Sequence, residues 1–433
     1  MFARRIAVVG AGYVGLTTAA CLASLGHHVV CADIDADKIA RLRRGEVGIL
    51  EPGLPELVTE GVAAGRLSFV VGATAAVIRP GLPVEILVLC LPTPMGEGGA
   101  ADLRAVRAVV DEVGALLPAG CVVVNKSTVP VGTAATTAGL LGRADVAVVS
   151  NPEFLREGSA VHDFLHPDRI VVGSASQGAA ERVAALYARL GAPVLLTDAA
   201  SAEMVKYAAN CFLAMKLSYV NALAGLCERL GADVLEVTEG MGHDRRIGQT
   251  FLSPGPGWGG SCFPKDTRAL LQIAESVGVD MELVAASLRQ NDTTRELVVA
   301  KVRAAVGGPL AGRRIGLLGL TFKAGTDDLR DSPALAVAAL LRAEGAELVG
   351  YDPAHPAAVP GVTDGIEVVD DPIDVAKGVA ALVVLTDWPQ FRALDWAALA
   401  GVADAAAVVD ARNLLDPDVL RRAGFRWTGL GRG

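Results

Sequence analysis

The chain has 433 residues, more than one ordinary core supports, so two or three domains are expected. Hydrophobic residues make up 52% of it and aromatics only 4%, an Ala/Val/Leu/Gly-rich balance that suits buried parallel strands and closely packed helices. A net charge of −9 excludes the basic face that nucleic acid requires, but not a nucleotide ligand, for which a few donors and a helix N-terminus suffice.

Arg4-Arg5 and the apolar run Ile6–Leu25 have the outline of a secretory signal. Glycines at dinucleotide-loop spacing interrupt that run, and no clean cleavage site follows at Gly26-His27-His28, so it reads as folded structure. Seven scattered cysteines, with no Cys-x-x-Cys pair and no His cluster at metal spacing, fit reduced thiols in a cytoplasmic protein with no metal site. No apolar stretch reaches membrane-spanning length without charges, so no membrane contact is expected.

Residues 5–10 read as a buried strand, Gly12–Leu25 as a helix, and residues 28–33 as a second strand. Apolar runs at 84–91, 121–125 and 146–150 alternate with amphipathic stretches, the pattern of βαβ units around a parallel sheet. The stretch 199–230 then has helix formers and no proline. A helix that long must bury faces on both neighbours, as a spine between domains or a dimer interface does. The segment 253–264, rich in Gly and Pro, is irregular. From Arg313 the alternation restarts, with strands at Ile315–Leu320, Glu347–Tyr351, Ala381–Leu385 and Ala407–Val409 and a helix at Pro333–Glu344. The expectation is an α/β protein with two doubly wound, Rossmann-like domains joined by a long central helix. Its parts are 1–198 for the dinucleotide, 199–300 for dimerisation and 308–433 for a second nucleotide.

Gly10-Ala11-Gly12-Tyr13-Val14-Gly15 is G-x-G-x-x-G, a weak pattern by itself. Here it follows a strand, opens a helix and precedes Asp33 by eighteen residues, which makes it a specific sign of NAD binding. The glycines admit a pyrophosphate, and Asp33 accepts from ribose hydroxyls while repelling the 2′-phosphate of NADP. Lys38 has two readings, a charge near the ribose or a solvated helix lysine. The second sheet lacks this fingerprint and ends its first strand with Lys323, either a phosphate donor or a surface lysine.

Cys262 differs from the cysteines at 21, 31, 90, 121, 211 and 227, which sit in apolar segments. It lies in a glycine-lined loop before Pro264, Lys265 and Asp266, where a thiol is accessible and a thiolate favoured, although lone loop cysteines are usually inert. Lys206 and Asn210 share one helix face, as oxyanion stabilisers or as part of a solvated stripe. Glu153 and Glu157 follow a strand end, where active-site acids sit. An NAD enzyme with a nucleophilic thiol suggests two successive hydride removals, with the aldehyde trapped on sulfur between them.

These motifs, together with Leu91-Pro92-Thr93-Pro94, Lys126–Thr133, Asn151–Gly158, His166–Arg169, Glu203–Asn210, Arg246-Ile247-Gly248, Gly259–Asp266 and Phe322-Lys323 with Arg330, resemble the UDP-glucose/GDP-mannose dehydrogenase family over essentially the whole chain. The resemblance implies Cys262 as nucleophile and Lys206 with Asn210 on the oxyanion. It implies that Asp266 and Thr128 position a water, and that Glu153 is the acid/base of thioester hydrolysis. It places NAD on Gly10, Gly12, Tyr13, Val14, Gly15, Asp33, Lys38, Pro92, Thr93, Ser127, Thr128, Glu157 and Arg330. Substrate contacts fall to Glu153, Phe154, Leu155, Glu157, Lys206, Asn210, Arg246, Phe251, Leu252, Ser253, Gly255, Gly257, Lys323 and Arg412. Arg246 and Arg330 are expected to reach a neighbouring subunit, so a homodimer acting on a nucleotide-sugar substrate is implied. The thiol loop and residues 151–173 look most like the UDP-glucose branch, whereas proline before Thr93-Pro94 is commoner in the N-acetyl-sugar branch. The same chemistry on dTDP-glucose or GDP-mannose, a two-electron alcohol dehydrogenase, and a non-catalytic NAD-binding regulator are the other readings.

Overall fold

The computed structural model describes residues 3–78, 83–96 and 101–432. The chain forms two compact units, residues 1–209 and 210–433. In the first, β1 (Arg5–Val9), β2 (His28–Asp33), β3 (Leu67–Val71), β4 (Ile86–Leu89), β5 (Val122–Asn125), β6 (Ala147–Ser150), β7 (Ile170–Gly173) and β8 (Val194–Thr197) make one sheet in the order β3-β2-β1-β4-β5-β6-β7-β8. Its inner strands are buried on both faces, whereas β8 at the sheet edge is largely exposed: Ile6 and Val8 of β1 enter one core, Ala7 and Val9 the other. That is why these segments read as continuous apolar runs rather than alternating ones.

The five strands read from the sequence in this unit are present as β1, β2, β4, β5 and β6; β3, β7 and β8 are not among them, and the direction of β7 departs from the expected parallel sheet. The first six strands are parallel, but β7 runs antiparallel to β6 and takes β8 with it. The connection from Asn151 to Arg169 holds only the six-residue helix Ala160–Leu165 and returns along the same end of the sheet. A parallel neighbour would have needed a crossover to the opposite end. The segment carrying Glu153 therefore stays at the carboxyl ends of the parallel strands.

The helix Ala199–Leu230 spans 32 residues, as the proline-free stretch predicts. In the second unit the irregular segment ends at Cys262, and the helix begins at Phe263 with Pro264 in its first turn. That is two residues earlier than the Gly/Pro composition suggests, because proline is tolerated at a helix start. There follow the helix Glu282–Val306 and a second, wholly parallel sheet: β9 (Arg314–Leu318), β10 (Glu347–Tyr351), β11 (Ile366–Val368), β12 (Ala381–Val384), β13 (Ala407–Asp410) and β14 (Arg426–Gly429), in the order β11-β10-β9-β12-β13-β14. Among the described residues, no helix is long and apolar enough to cross a membrane.

His27, where the first helix turns into β2, is buried. Its Nδ1 accepts from the Arg4 amide at 3.2 Å and its Nε2 faces the Leu186 carbonyl at 3.2 Å, so the neutral Nε2–H tautomer satisfies both. Burial holds its pKa below the ordinary imidazole value. The folded state therefore binds fewer protons than the unfolded chain, and this stabilisation is complete at neutral pH and lost as pH falls below about 6.5. Tm is expected to fall more steeply between pH 7 and 5 in the wild type than in His27→Gln; equal slopes would contradict this account.

Candidate active site

In the first unit, the helix Tyr13–Ser24 starts at Gly12 with no side-chain cap and no acid in its first turn, which leaves its amides and positive dipole end available to an anion. The three glycines have different reasons. A Cβ on Gly10 would meet the Cys90 carbonyl oxygen at 2.2 Å, and one on Gly15 would meet the Gly10 carbonyl at 1.7 Å. These two permit packing of strand, turn and helix. A Cβ on Gly12 would meet nothing within 4 Å, so its bare backbone faces open space where a pyrophosphate fits.

Asp33 at the end of β2 accepts from the Ala11 amide at 2.9 Å, the Asp35 amide at 3.0 Å and Lys38 Nζ at 3.0 Å. Partial burial opposes its ionisation, but these three donors outweigh burial and hold its pKa below the usual carboxylate range. Lys38 is thus paired with Asp33 and partly exposed. Around it, Ser127 Oγ donates to the Leu91 carbonyl at 2.7 Å, and Thr93 Oγ1 to the Thr128 carbonyl at 2.9 Å. Pro92, Thr93, Ser127 and Thr128 are thereby gathered beyond β4 and β5. Tyr13 OH bonds Glu51, and both accept from the Gly158 amide at 2.8 Å, tying the glycine loop to the segment that holds Glu157.

Lys206 is buried, and its Nζ donates to the Glu153 carbonyl at 2.7 Å and to Glu153 Oε1 at 3.0 Å. It is not part of a solvated stripe. Glu153 Oε2 also accepts from the Leu155 amide at 2.6 Å. Burial alone would raise the Glu153 pKa, but Lys206, the Leu155 amide and the more distant Lys126 together bring it below the ordinary value. Phe154 has the Arg169 guanidinium 3.6 Å from its ring centre and Lys206 Nζ at 5.4 Å.

In the second unit, Cys262 is half-buried and caps the helix Phe263–Ser276, its carbonyl accepting from the Asp266 amide at 2.9 Å. The thiol thus sits at the positive end of the helix dipole. Ser261 Oγ lies 3.7 Å from its sulfur. Asp266, fully buried one turn on, accepts from Asn210 Nδ2 at 2.6 Å and Lys265 Nζ at 2.5 Å. The glycines before Cys262 serve close packing more than access. A Cβ on Gly259 would meet the Asp331 carbonyl at 2.0 Å, and one on Gly260 the Phe322 ring at 2.8 Å.

Arg412 Nε donates to the Leu385 carbonyl at 2.8 Å and its guanidinium reaches the Phe322 carbonyl at 3.4 Å. Its nearest nitrogen would lie 3.0 Å from a Cβ on Gly255. Gly255, Phe322-Lys323 and Arg412 therefore converge beyond β9, β12 and β13. Leu252 is buried, Ser253 is exposed, Gly257 has φ +114°, and Phe251, with φ +62°, sits 6.3 Å from the Phe263 ring. Arg246 and Arg330 stand apart on the surface, gripping Asp244 and Asp328, each two residues earlier in the chain.

The sequence reading passed over the residues that hold the 253–260 loop. Asn221 Oδ1 accepts from the Gly255 amide at 2.9 Å; Asn291 exchanges two bonds with the Trp258 backbone, at 2.8 and 2.9 Å; and Trp258 Nε1 donates to Ser218 Oγ at 2.8 Å. The available signal was a run of polar side chains at helical spacing, Asn210, Ser218 and Asn221, inside an otherwise apolar helix. Glu203, likewise unnoticed, accepts from the Gly132 and Ala134 amides at 2.7 and 2.9 Å and from Ser150 Oγ at 2.8 Å.

A doubly wound sheet whose first strand runs into an open glycine loop, with an acid at the end of the second strand, defines a dinucleotide-binding α/β protein. Comparison with known proteins is specific. Residues 4–191 match the NAD binding domain of the UDP-glucose/GDP-mannose dehydrogenase family, 200–293 its central domain and 316–417 its UDP binding domain. A UDP-glucose 6-dehydrogenase of Rhizobium meliloti (strain 1021) is 44% identical over 99% of both chains. A UDP-glucose dehydrogenase structure from Pyrobaculum islandicum superposes with a TM-score of 0.89 at 38% identity, covering 100% of this chain and 98% of that one. A UDP-D-ManNAc dehydrogenase from Pyrococcus horikoshii gives 0.87 at 29%, covering 99% of each. The chain belongs to the UDP-glucose/GDP-mannose dehydrogenase family, and its cofactor is NAD.

Replacing Asp33 by Ser removes the charge that repels a 2′-phosphate. The ratio of kcat/KM with NAD to that with NADP is expected to fall by at least about tenfold; an unchanged ratio would show that Asp33 does not set the preference.

Proposed function

We propose that the protein is a cytoplasmic UDP-glucose 6-dehydrogenase that converts the C6 alcohol of UDP-glucose to a carboxylate in two oxidations at one site. Residues 1–198 bind NAD, 199–300 pair subunits, and 308–433 hold the nucleotide. The observation that carries the four-electron reading is Cys262, half-buried at the N-terminus of the helix Phe263–Ser276, since a simple alcohol dehydrogenase needs no nucleophile there. Identity of 44% over the full length to a UDP-glucose enzyme, against 29% to a ManNAc enzyme, favours glucose despite the Leu91-Pro92 departure. No observation favours dTDP-glucose or GDP-mannose.

NAD held at the Gly10–Gly15 loop and Asp33 would supply the hydride acceptor, a fresh molecule for each of the two oxidations. In the first, the C6 hydroxyl loses its proton to a water that Asp266 and Thr128 position, and an aldehyde results. The Cys262 thiolate adds to the aldehyde carbon, forming a C–S bond and an alkoxide that Lys206 and Asn210 stabilise with a cation and an amide donor. The second oxidation turns this thiohemiacetal into a thioester. Water, giving one proton to Glu153, attacks the thioester carbonyl, and the C–S bond breaks to return the thiolate and release the acid, which passes its remaining proton to solvent and leaves as the carboxylate. Glu153 suits that role because Lys206 and the Leu155 amide keep it ionised. Lys323 and Arg412 supply positive charge for the diphosphate, as the loop from Phe251 to Gly257 closes the sugar pocket.

The helix Ala199–Leu230 leaves Phe212, Tyr219 and Leu226 between 52% and 60% exposed at seven-residue spacing, with Leu230 at 73%. Such a stripe supports a homodimer, with Arg246 and Arg330 completing the partner's site. Tyr219→Asp is expected to shift light-scattering mass from dimer to monomer and lower activity together; a stable, active monomer would refute this interface.

Two NADH per sugar and a uronate product are expected from UDP-glucose, against little turnover of GDP-mannose, dTDP-glucose or UDP-N-acetylhexosamines. Cys262→Ser is expected to lose overall turnover by orders of magnitude, because a hydroxyl is far less ionised than a thiol at neutral pH. One NADH with free aldehyde, or full activity of the serine variant, would sink the covalent scheme.

A further inference from the structure

Lys126, just beyond β5, is buried to 5% exposure, yet among the described residues no carboxylate lies within ion-pair distance of it. Its Nζ donates to Asn151 Oδ1 at 3.1 Å and bonds Tyr187 OH at 3.3 Å. It also lies 5.4 Å from the Tyr187 ring centre and 6.0 Å from that of Phe164. Tyr187 OH in turn donates to Asn151 Oδ1 at 2.6 Å, and Asn151 Nδ2 to the Val171 carbonyl at 2.7 Å. Two neutral oxygens and two ring faces are a poor substitute for water or a counter-ion around a desolvated ammonium. A structural role alone would be met at less cost by an apolar side chain. The site keeps the charge, and the question is which group receives it.

Asn151 supplies the answer through the chain, since it stands two residues before Glu153. Titratable groups bearing on Glu153 within this unit include Lys206 from the helix Ala199–Leu230 and Lys126 from beyond β5, and Glu153 in turn bears on Cys90 from beyond β4. Burial pushes the Cys90 thiol up to about 12, so it stays neutral. Two lysines therefore bear on one carboxylate. Lys206 has a second task in the mechanism, stabilising the oxyanion. While Lys206 performs that task, Glu153 would be left without either lysine if Lys126 were absent.

We propose that Lys126 is a positioning residue for the hydrolytic step: held by Asn151 and Tyr187, it fixes the segment that carries Glu153 and supplies the neighbouring positive charge while Lys206 serves the oxyanion. The inference rests on the thioester reading above. It makes Lys126 unnecessary for binding the nucleotide sugar and for the first oxidation, and necessary for releasing the product on the acid side of the pH profile.

The test uses full-length Lys126→Gln and Lys126→Arg with UDP-glucose and NAD. In Lys126→Gln the acid limb of kcat is expected to move up by about one pH unit or more, the usual effect of losing a neighbouring charge. KM for UDP-glucose should stay within about threefold, a shift of less than one kilocalorie in binding. Intact-mass spectrometry should detect a sugar adduct on Cys262 that accumulates at low pH and disappears as pH rises. Lys126→Arg should return the limb toward the wild-type position and remove the adduct. An unmoved acid limb, or a loss of kcat equal at every pH with no adduct, would overturn the proposal and leave Lys126 as packing. If Lys126→Gln does not fold, Tyr187→Phe carries the test, because it removes the hydroxyl that orients both the ammonium and Asn151. It should shift the limb in the same direction by a smaller amount, and an unmoved limb again overturns the proposal. If wild type releases one NADH per sugar and Glu153→Gln forms no adduct, the thioester reading itself has failed. If those controls behave and only Lys126→Gln is silent, the failure belongs to this inference alone.

Discussion

Parallel strands are the governing constraint on this molecule. Because each crossover lays a helix against the sheet, both faces of the inner strands, such as β1, β4 and β5 in one sheet and β9, β12 and β13 in the other, are occupied by apolar packing, and Ile6, Ala7, Val8 and Val9 illustrate it on one strand. Polar chemistry is left with the ends of the strands. Gly10 to Gly15 follow β1, Asp33 ends β2, Thr93 lies beyond β4, Ser127 and Thr128 beyond β5, and Glu153 beyond β6. In the second unit, Lys323 follows β9 and Arg412 follows β13 by the same rule.

The two sheets use one plan to different ends. Val9 pairs with Ala32 and Leu318 with Tyr351, so Asp33 and Asp352 occupy equivalent places one residue later. Gly10 and Gly319 are equivalent too, both at positive φ and both donating to the strand beside them. Asp33 accepts from the Ala11 amide and remains partly open to a ribose. Asp352 accepts from the Leu320 and Thr321 amides, at 2.7 and 2.9 Å, and from Trp388 Nε1 at 3.2 Å, and it is fully enclosed. Its hydrogen-bonding capacity is consumed in shaping the turn that leads to Phe322 and Lys323. The second sheet thus lacks the dinucleotide fingerprint for a physical reason: its acid is structural, and cationic side chains replace the open glycine loop.

Buried polar groups do the remaining positioning. Glu203 occupies the start of the helix Thr133–Leu141, where a free helix terminus would otherwise attract an anion. Burial raises its pKa, while four donors around it oppose that rise. Asn221, Asn291 and Ser218 perform a similar service for a loop with too many glycines and prolines to make its own hydrogen bonds. Such partnerships are satisfied only after distant segments meet, so they leave faint marks on a single sequence.

What could be read from residue order was local. Apolar runs of strand length, helical spacing over 199–230, and the strand–glycine–helix context of Gly10 to Gly15 all express neighbours within one element, and they located the sheets, the long helix and the dinucleotide loop. Cys262 stood out because its immediate surroundings are irregular and polar. Tertiary structure decided the rest: the reversal at β7 that keeps Glu153 at the functional end, the burial that makes Lys206 an ion-pair partner rather than a surface cation, and the inward turn of Asp352. The reason is the same in each case. Whether a charged side chain meets water or a partner depends on segments far apart in the chain, such as Glu153 and Lys206, and no spacing rule along the backbone records that distance.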